Sequence, residues 1–206
     1  PLLAALERLG PGPYAVRSSM VGEDSGDHSF AGQLESLLFR RDAQEVTEAV
    51  RQCWASALAP RVLAYRRRVG LTGAARVGVV VQRMIDGDVS GVVFTAHPVS
   101  GRLDHSLLTA AWGLGEGIVS GLCDTDEFVW ERATGEIEAA IAPDKHVAVR
   151  RARDGEPGTV EVPVPADQRG ARCLSEAQVQ QLAVECSRVA RELGSPQDLE
   201  YTFEGD

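Results

Sequence analysis

"YAVRSSMVGEDSGDHSFAGQ", residues Tyr14 to Gln33, sets an apolar start directly against a charged, hydroxyl-rich continuation. Tyr14, Ala15 and Val16 have strand character. Arg17, Ser18 and Ser19 follow without a break, and small or polar residues then run to Phe30-Ala31-Gly32. An arginine fixed at a strand end can grip two oxygens of a phosphate at once. Ser18 and Ser19 add short donors, and the glycines between Gly22 and Gly32 offer backbone N–H groups that can cradle an anion. A second reading stands equal from spacing alone: a surface salt bridge beside an irregular loop.

Downstream, the pattern predicts a helix over Asp42 to Leu58, with Asp42 as cap and Glu45 three residues on. Val46, Ala49, Val50, Cys53, Trp54 and Ala57 recur at helical spacing. Arg61 to Val69 reads as a second short helix, its Arg66-Arg67-Arg68 run a solvated face. Val77 to Met84 (VGVVVQRM) reads as a buried strand. Asp86-Gly87 is a hairpin signal, with Gly91 to Thr95 as the returning strand. Leu107 to Trp112 is a third apolar run, and Glu127–Arg132 with Glu136–Ile141 form a hairpin around Thr134-Gly135. His146–Arg150 and Val160–Val164 are short strands around a polar loop. Ser175 to Leu193 is the clearest helix: Ser175 and Gln178 make a capping box and Gly194 stops it. Leu199 to Phe203 is a strand with Glu200 opposite Leu199 and Tyr201. Hairpins and helices without regular βαβ alternation give an α+β fold class.

The chain has 206 residues and a net charge of −9. The acidity excludes a general nucleic-acid binder, which needs a basic face. Aromatic content of 5% offers little stacking surface for single strands. No run of 18 apolar residues exists, so no transmembrane span is expected. Cys53, Cys123, Cys173 and Cys186 make no C-x-x-C pair, which argues against zinc. Cys53 and Cys186 fall on apolar helix faces, as buried free thiols in a reducing cytoplasm.

Further candidates are individually weak. "GLGEGIVSG" (Gly113 to Gly121) contains G-x-G but lacks the third glycine of a dinucleotide fingerprint and any βαβ unit. It is a structural turn or a ligand loop. Gln82 near a strand end can donate to and accept from a purine edge, or be a plain strand-end amide. Asp198 and Glu200, two apart on a strand, share a face. Such a pair suits magnesium, which keeps phosphates as co-ligands; taken alone it reads better as two solvated acids. His28, His97, His105 and His146 are scattered, and His97 reads as a loop residue rather than a nucleophile.

Taken in order, "AVRSSMVGEDSGDHSFAGQLES", "CWASALAPRVLAYR", "VGVVVQRM", "SGVVFTAHPVSG", "AAWGLGEGIVSG", "DEF" and "DLEYTFEGD" resemble the nucleotide-binding domain of the phosphoenolpyruvate synthase and pyruvate phosphate dikinase family, including the rifampicin phosphotransferases. The resemblance runs from Tyr14 to Asp206. It implies the ATP-grasp fold: two α+β lobes of antiparallel or mixed sheet with flanking helices, clasping ATP. It implies that Arg17 contacts the nucleotide phosphates and that Gly32 and Ser36 belong to a loop closing over them. By the same resemblance Gln82 lies beside the adenine, and Glu200 binds the metal with Asp198 as a second acid. ATP and Mg2+ are the implied cofactors.

The implied activity is phosphorylation of a histidine on a separate swivelling domain, followed by transfer to pyruvate or another acceptor in a third region. In the synthase type, ATP is split to AMP with release of inorganic phosphate. The implied location is the cytoplasm, with no nucleic-acid or membrane partner. Residues 1–206 are expected to be a partial domain truncated at both ends, inactive in isolation: the family's phosphate-binding lysine lies before Tyr14, and a glutamine and arginine lie after the last strand. Met20-Val21-Gly22 and Leu34 depart from the family's commoner "SSATAED" and "GQQET" patterns. The glycine-rich phosphohistidine motif is absent. The alternative reading is a degenerate, non-catalytic ATP-sensing or scaffold domain.

Overall fold

The computed structural model describes residues 2–20, 24–25, 28–29, 35–70, 76–153 and 156–205. Its elements, in chain order, are α1 (Leu2–Leu9), β1 (Tyr14–Met20), β2 (Asp24–Ser25), β3 (His28–Ser29), β4 (Ser36–Arg40), α2 (Ala43–Ser56), α3 (Pro60–Arg68), β5 (Val77–Arg83), β6 (Val89–Phe94), β7 (His105–Trp112), α4 (Glu116–Val119), β8 (Asp126–Glu131), β9 (Glu136–Ile141), β10 (Val147–Arg151), β11 (Thr159–Pro163), α5 (Glu176–Leu193) and β12 (Asp198–Phe203). They divide into two compact units, Pro1–Ile85 with Arg151–Thr159, and Asp86–Arg150 with Val160–Asp206.

The first unit is built on an antiparallel sheet of order β4-β1-β5. Alternation along β1 sends Tyr14 and Val16 to one face, where Val46, Ala49 and Cys53 of α2 cover them. Val46, Cys53 and Val16 lose all exposure, and burying each valine is worth about 1.5–3 kcal/mol. α2 starts where Asp42 accepts hydrogen bonds from the N–H groups of Gln44 and Glu45, both at 2.9 Å. Glu45 reaches back to the N–H of Arg41 at 2.8 Å, one residue earlier than an ordinary capping box. Pro60 opens α3 at a position where its missing N–H costs nothing.

Within β4 the register slips. Tyr14 pairs with Arg40, but Val16 pairs with Leu37, so β4 carries one extra residue. Phe39 absorbs it with a φ of 55°, a left-handed backbone rarely taken by an aromatic residue. Such a conformation costs on the order of 1–3 kcal/mol. The fully buried Phe39 ring offsets this.

The second unit is a five-stranded antiparallel sheet of order β12-β6-β7-β8-β9. α5 lies on one face: Val179, Ala183 and Cys186 pack on Val93, Leu108, Ala110, Phe128 and Trp130. Ser175 and Gln178 form the expected capping box, and Gly194 ends the helix with a φ of 75°. β8 and β9 form the expected hairpin, with Gly135 at φ 71°. β10 and β11 pair as a separate two-stranded sheet.

Four expectations need correction. Arg17 is not at a strand end: β1 continues through Ser18 and Ser19 to Met20, pairing with β5 along its length, and holds Arg17 mid-strand. Asp86-Gly87 is no hairpin: β5 and β6 lie in different sheets. Gly87 instead marks close packing, because a Cβ there would meet Thr202 Oγ1 at 1.9 Å. β5 is an edge strand with alternating exposure, not a buried one; Val80 is 49% exposed. Arg66 is buried while Arg67 and Arg68 are exposed, so the arginine run is only partly a solvated face. The helix α1, short and capped by no strong signal, was not anticipated; Leu6 ties it to the first unit's core.

Candidate nucleotide-binding residues

In the first unit, the face of the sheet away from α2 gathers the expected residues. Arg17 is the register partner of Ser36 on β4 and of Val80 on β5. Ala15 pairs with Gln82. Cross-strand partners project to the same side, so Arg17, Ser36 and Gln82 share one face. Ser18 holds Glu35, the residue before β4: its Oγ donates to Glu35 O at 3.0 Å, and its N–H to the same oxygen at 3.3 Å. A guanidinium, a hydroxyl and a neutral amide on one side of a sheet can bind a polyanion at one end and a purine edge at the other. Gly32, and most of the loop from Gly22 to Gly32, lie outside the described residues.

In the second unit, Leu199, Tyr201 and Phe203 of β12 turn toward α5. Alternation therefore places Asp198 and Glu200 together on the opposite face, both exposed. Their Cα atoms stand two residues apart, roughly 7 Å. β12 is held flat on β6 by six consecutive register pairs, from Asp198↔Phe94 to Phe203↔Val89. The close approach depends on Gly91, where a Cβ would meet Thr109 O at 1.9 Å and the Tyr201 hydroxyl at 2.3 Å. That hydroxyl donates to Thr109 O at 2.7 Å. Burial pushes its pKa up, so it stays a donor across the working pH range.

Among the described residues no group of three or more His, Cys, Asp or Glu is placed to hold a metal. Two carboxylates on one face are what Mg2+ uses when phosphates and water complete its octahedron, so Asp198 and Glu200 fit that ion.

"GLGEGIVSG" is a packing device. Gly113, at φ 88°, donates to Asp88 O at 2.7 Å and bridges to Val149. A Cβ there would meet Val149 O at 2.2 Å, and one at Gly117 would meet Cys123 Sγ at 2.4 Å. His97 is a loop residue, as read: its Nδ1 accepts from the N–H groups of Val99 and Ser100, both at 3.3 Å.

A buried ion pair escaped the sequence reading. Lys145, the chain's single lysine, is 1% exposed and Asp126 is 0% exposed. Lys145 Nζ donates to Asp126 Oδ1 at 2.5 Å and to Pro143 O at 3.2 Å. Asp126 Oδ2 also accepts from the Cys173 N–H at 2.6 Å. Lone lysine use beside so many arginines, and the acid in the "DEF" block, were the available signals.

Residues 3–206 match the family model described as "Pyruvate phosphate dikinase, AMP/ATP-binding domain". The chain belongs to this family. Its architecture of antiparallel sheets and flanking helices is of the ATP-grasp type. A probable phosphoenolpyruvate synthase of Archaeoglobus fulgidus is 40% identical over 192 residues, 93% of this chain and 25% of that protein. The prodigiosin synthesizing transferase PigC of Serratia marcescens is 39% identical, covering 98% of this chain and 22% of its own length. A rifampicin phosphotransferase of a Streptomyces species is 37% identical, covering 98% and 23%. The chain thus spans about a quarter of the length of these relatives. It is an AMP/ATP-binding domain by that family model. Among the described residues no helix is long and apolar enough to cross a membrane.

Proposed function

We propose that the chain binds Mg-ATP for a dikinase-type phosphotransferase that phosphorylates a histidine on a separate domain, for onward transfer to pyruvate or another acceptor. The observation that carries the reading is the sorting of polar groups. Arg17, Ser36 and Gln82 occupy the sheet face away from α2, and Asp198 and Glu200 occupy the sheet face away from α5. Arg17 binds phosphate oxygens through its fork of N–H donors. Ser36 adds a hydroxyl donor, and Gln82 pairs with the adenine edge. Asp198 and Glu200 would hold Mg2+, which supplies charge neutralisation on the phosphates.

Phosphoryl transfer needs positioning and cationic charge more than covalent chemistry from the protein. The acceptor histidine nitrogen forms the new bond to phosphorus and gives up its proton, while the nucleotide keeps the electron pair of the broken P–O bond. Domains beyond these residues would carry that histidine and the final acceptor, in a soluble cytoplasmic protein.

The test is radiolabel transfer from ATP to a histidine of the full-length protein. Arg17→Ala and Glu200→Ala should each abolish it. Normal labelling in both variants would overturn the assignment.

A further inference from the structure

We propose that Arg151 is a positioning residue for the nucleotide site, acting through the left-handed backbone of Phe39; the inference rests on the reading that Arg17 and Ser36 bind ATP. The Arg151 guanidinium carbon sits 5.2 Å from the Phe39 ring centroid, within cation–π range. Both residues belong to the first unit. Phe39 is fully buried and is the one non-glycine residue with positive φ among the described residues.

The bulge at Phe39 decides which way Ser36 points. β4 advances three residues, from Arg40 to Leu37, while β1 advances two, from Tyr14 to Val16. The extra residue lets Leu37 join the core face with Val16 and sets Ser36 opposite Arg17. Removing it would slip the pairing by one, and a one-residue slip exchanges the two faces of a strand. Ser36 would then turn toward α2 and Leu37 toward the Arg17 side. The αL position that makes such a bulge is ordinarily a glycine's. Here an aromatic ring takes it, so contacts to the ring must hold the backbone in place. Arg151 supplies one from the end of β10, far along the chain.

The experiment measures Mg-ATP affinity by calorimetry, well below the unfolding temperature, in the full-length protein carrying Arg151→Ala, Arg151→Lys, Phe39→Leu or the Phe39→Leu/Arg151→Ala pair. Thermal unfolding is recorded for each. Loss of the cation–π contact is expected to raise the Mg-ATP Kd about three- to tenfold in Arg151→Ala. Arg151→Lys, which keeps a cation over the ring, should recover most of the affinity. Phe39→Leu keeps buried bulk without a π face, so adding Arg151→Ala to it should change the Kd by less than twofold. A merely structural contact predicts a lower Tm at unchanged Kd, and that result would overturn the proposal. So would equal Kd values for the alanine and lysine variants. The Arg17→Ala variant separates the two layers. If wild type binds, Arg17→Ala does not, and Arg151→Ala binds as wild type, the positioning role alone fails. If wild type does not bind Mg-ATP, the underlying reading fails and the positioning role with it.

Discussion

Replacing Lys145 with methionine removes a cation from a buried site. Lys145 and Asp126 are both essentially unexposed, and their charged atoms meet at 2.5 Å. In Lys145→Met the Asp126 carboxylate keeps the Cys173 N–H at 2.6 Å but loses its counter-charge. Breaking one partner out of a buried pair costs about 3–5 kcal/mol. Against a total stability of about 5–15 kcal/mol, that is a large share. At about 2–4 °C per kcal/mol for a domain of this size, the expected fall in Tm is about 6–20 °C, read by calorimetric or circular-dichroism melting. The double variant Asp126→Asn/Lys145→Met removes both charges and should recover most of that loss. The same pair allows a chemical check. Lys145 carries the only ε-amino group, so acylation of lysine should be slow in the native protein and fast in urea. A Tm shift under about 2 °C, or a double variant no better than the single, would refute the reasoning.

Gly91→Ala should cost about 2–5 kcal/mol, combining overpacking with loss of the Tyr201–Thr109 hydrogen bond; because Gly91 pairs with Tyr201 on the strand of Glu200, Mg-dependent nucleotide binding should weaken too, by titration calorimetry. Asp104 is held below its ordinary pKa of 3.8, first by hydrogen bonds from Arg102 and then by His105. A depressed acid stabilises the fold above its unfolded value and loses that as pH falls toward its folded one, so melting between pH 5 and 2 should show an acid-side loss that is smaller in Asp104→Asn. Burial raises the pKa of all four cysteines, so native alkylation at pH 8 should be slow; Cys123, the only one not fully buried, should react first.

The elements with local signals were legible in the sequence. α5 carried its own start and stop in Ser175, Gln178 and Gly194, and α2 its cap in Asp42. The face-sharing of Asp198 and Glu200 followed from a period of two along a strand whose apolar residues all point one way. The pairing of Arg17 with Ser36 was not readable, because it depends on a long-range register and on a bulge at a residue, Phe39, that no turn propensity marks. The Asp86-Gly87 signal misled because glycine serves close approach as well as turns, and only the neighbouring Thr202 distinguishes them. Lys145 and Asp126 are far apart in sequence, so their pairing belongs to tertiary structure. The roles proposed for Arg17, Gly32, Ser36, Gln82, Asp198 and Glu200 rest on ordered blocks rather than on any single motif.

Titration of the full-length protein with ATP in excess Mg2+ tests the central claim, that Arg17 and the Asp198–Glu200 pair each serve Mg-ATP binding. Losing a charge-assisted, two-pronged contact of about 1.5–3 kcal/mol should weaken binding about ten- to hundredfold in Arg17→Ala, and Glu200→Ala should abolish the dependence on Mg2+. Wild-type affinity with unchanged Mg2+ dependence in both variants would contradict the account.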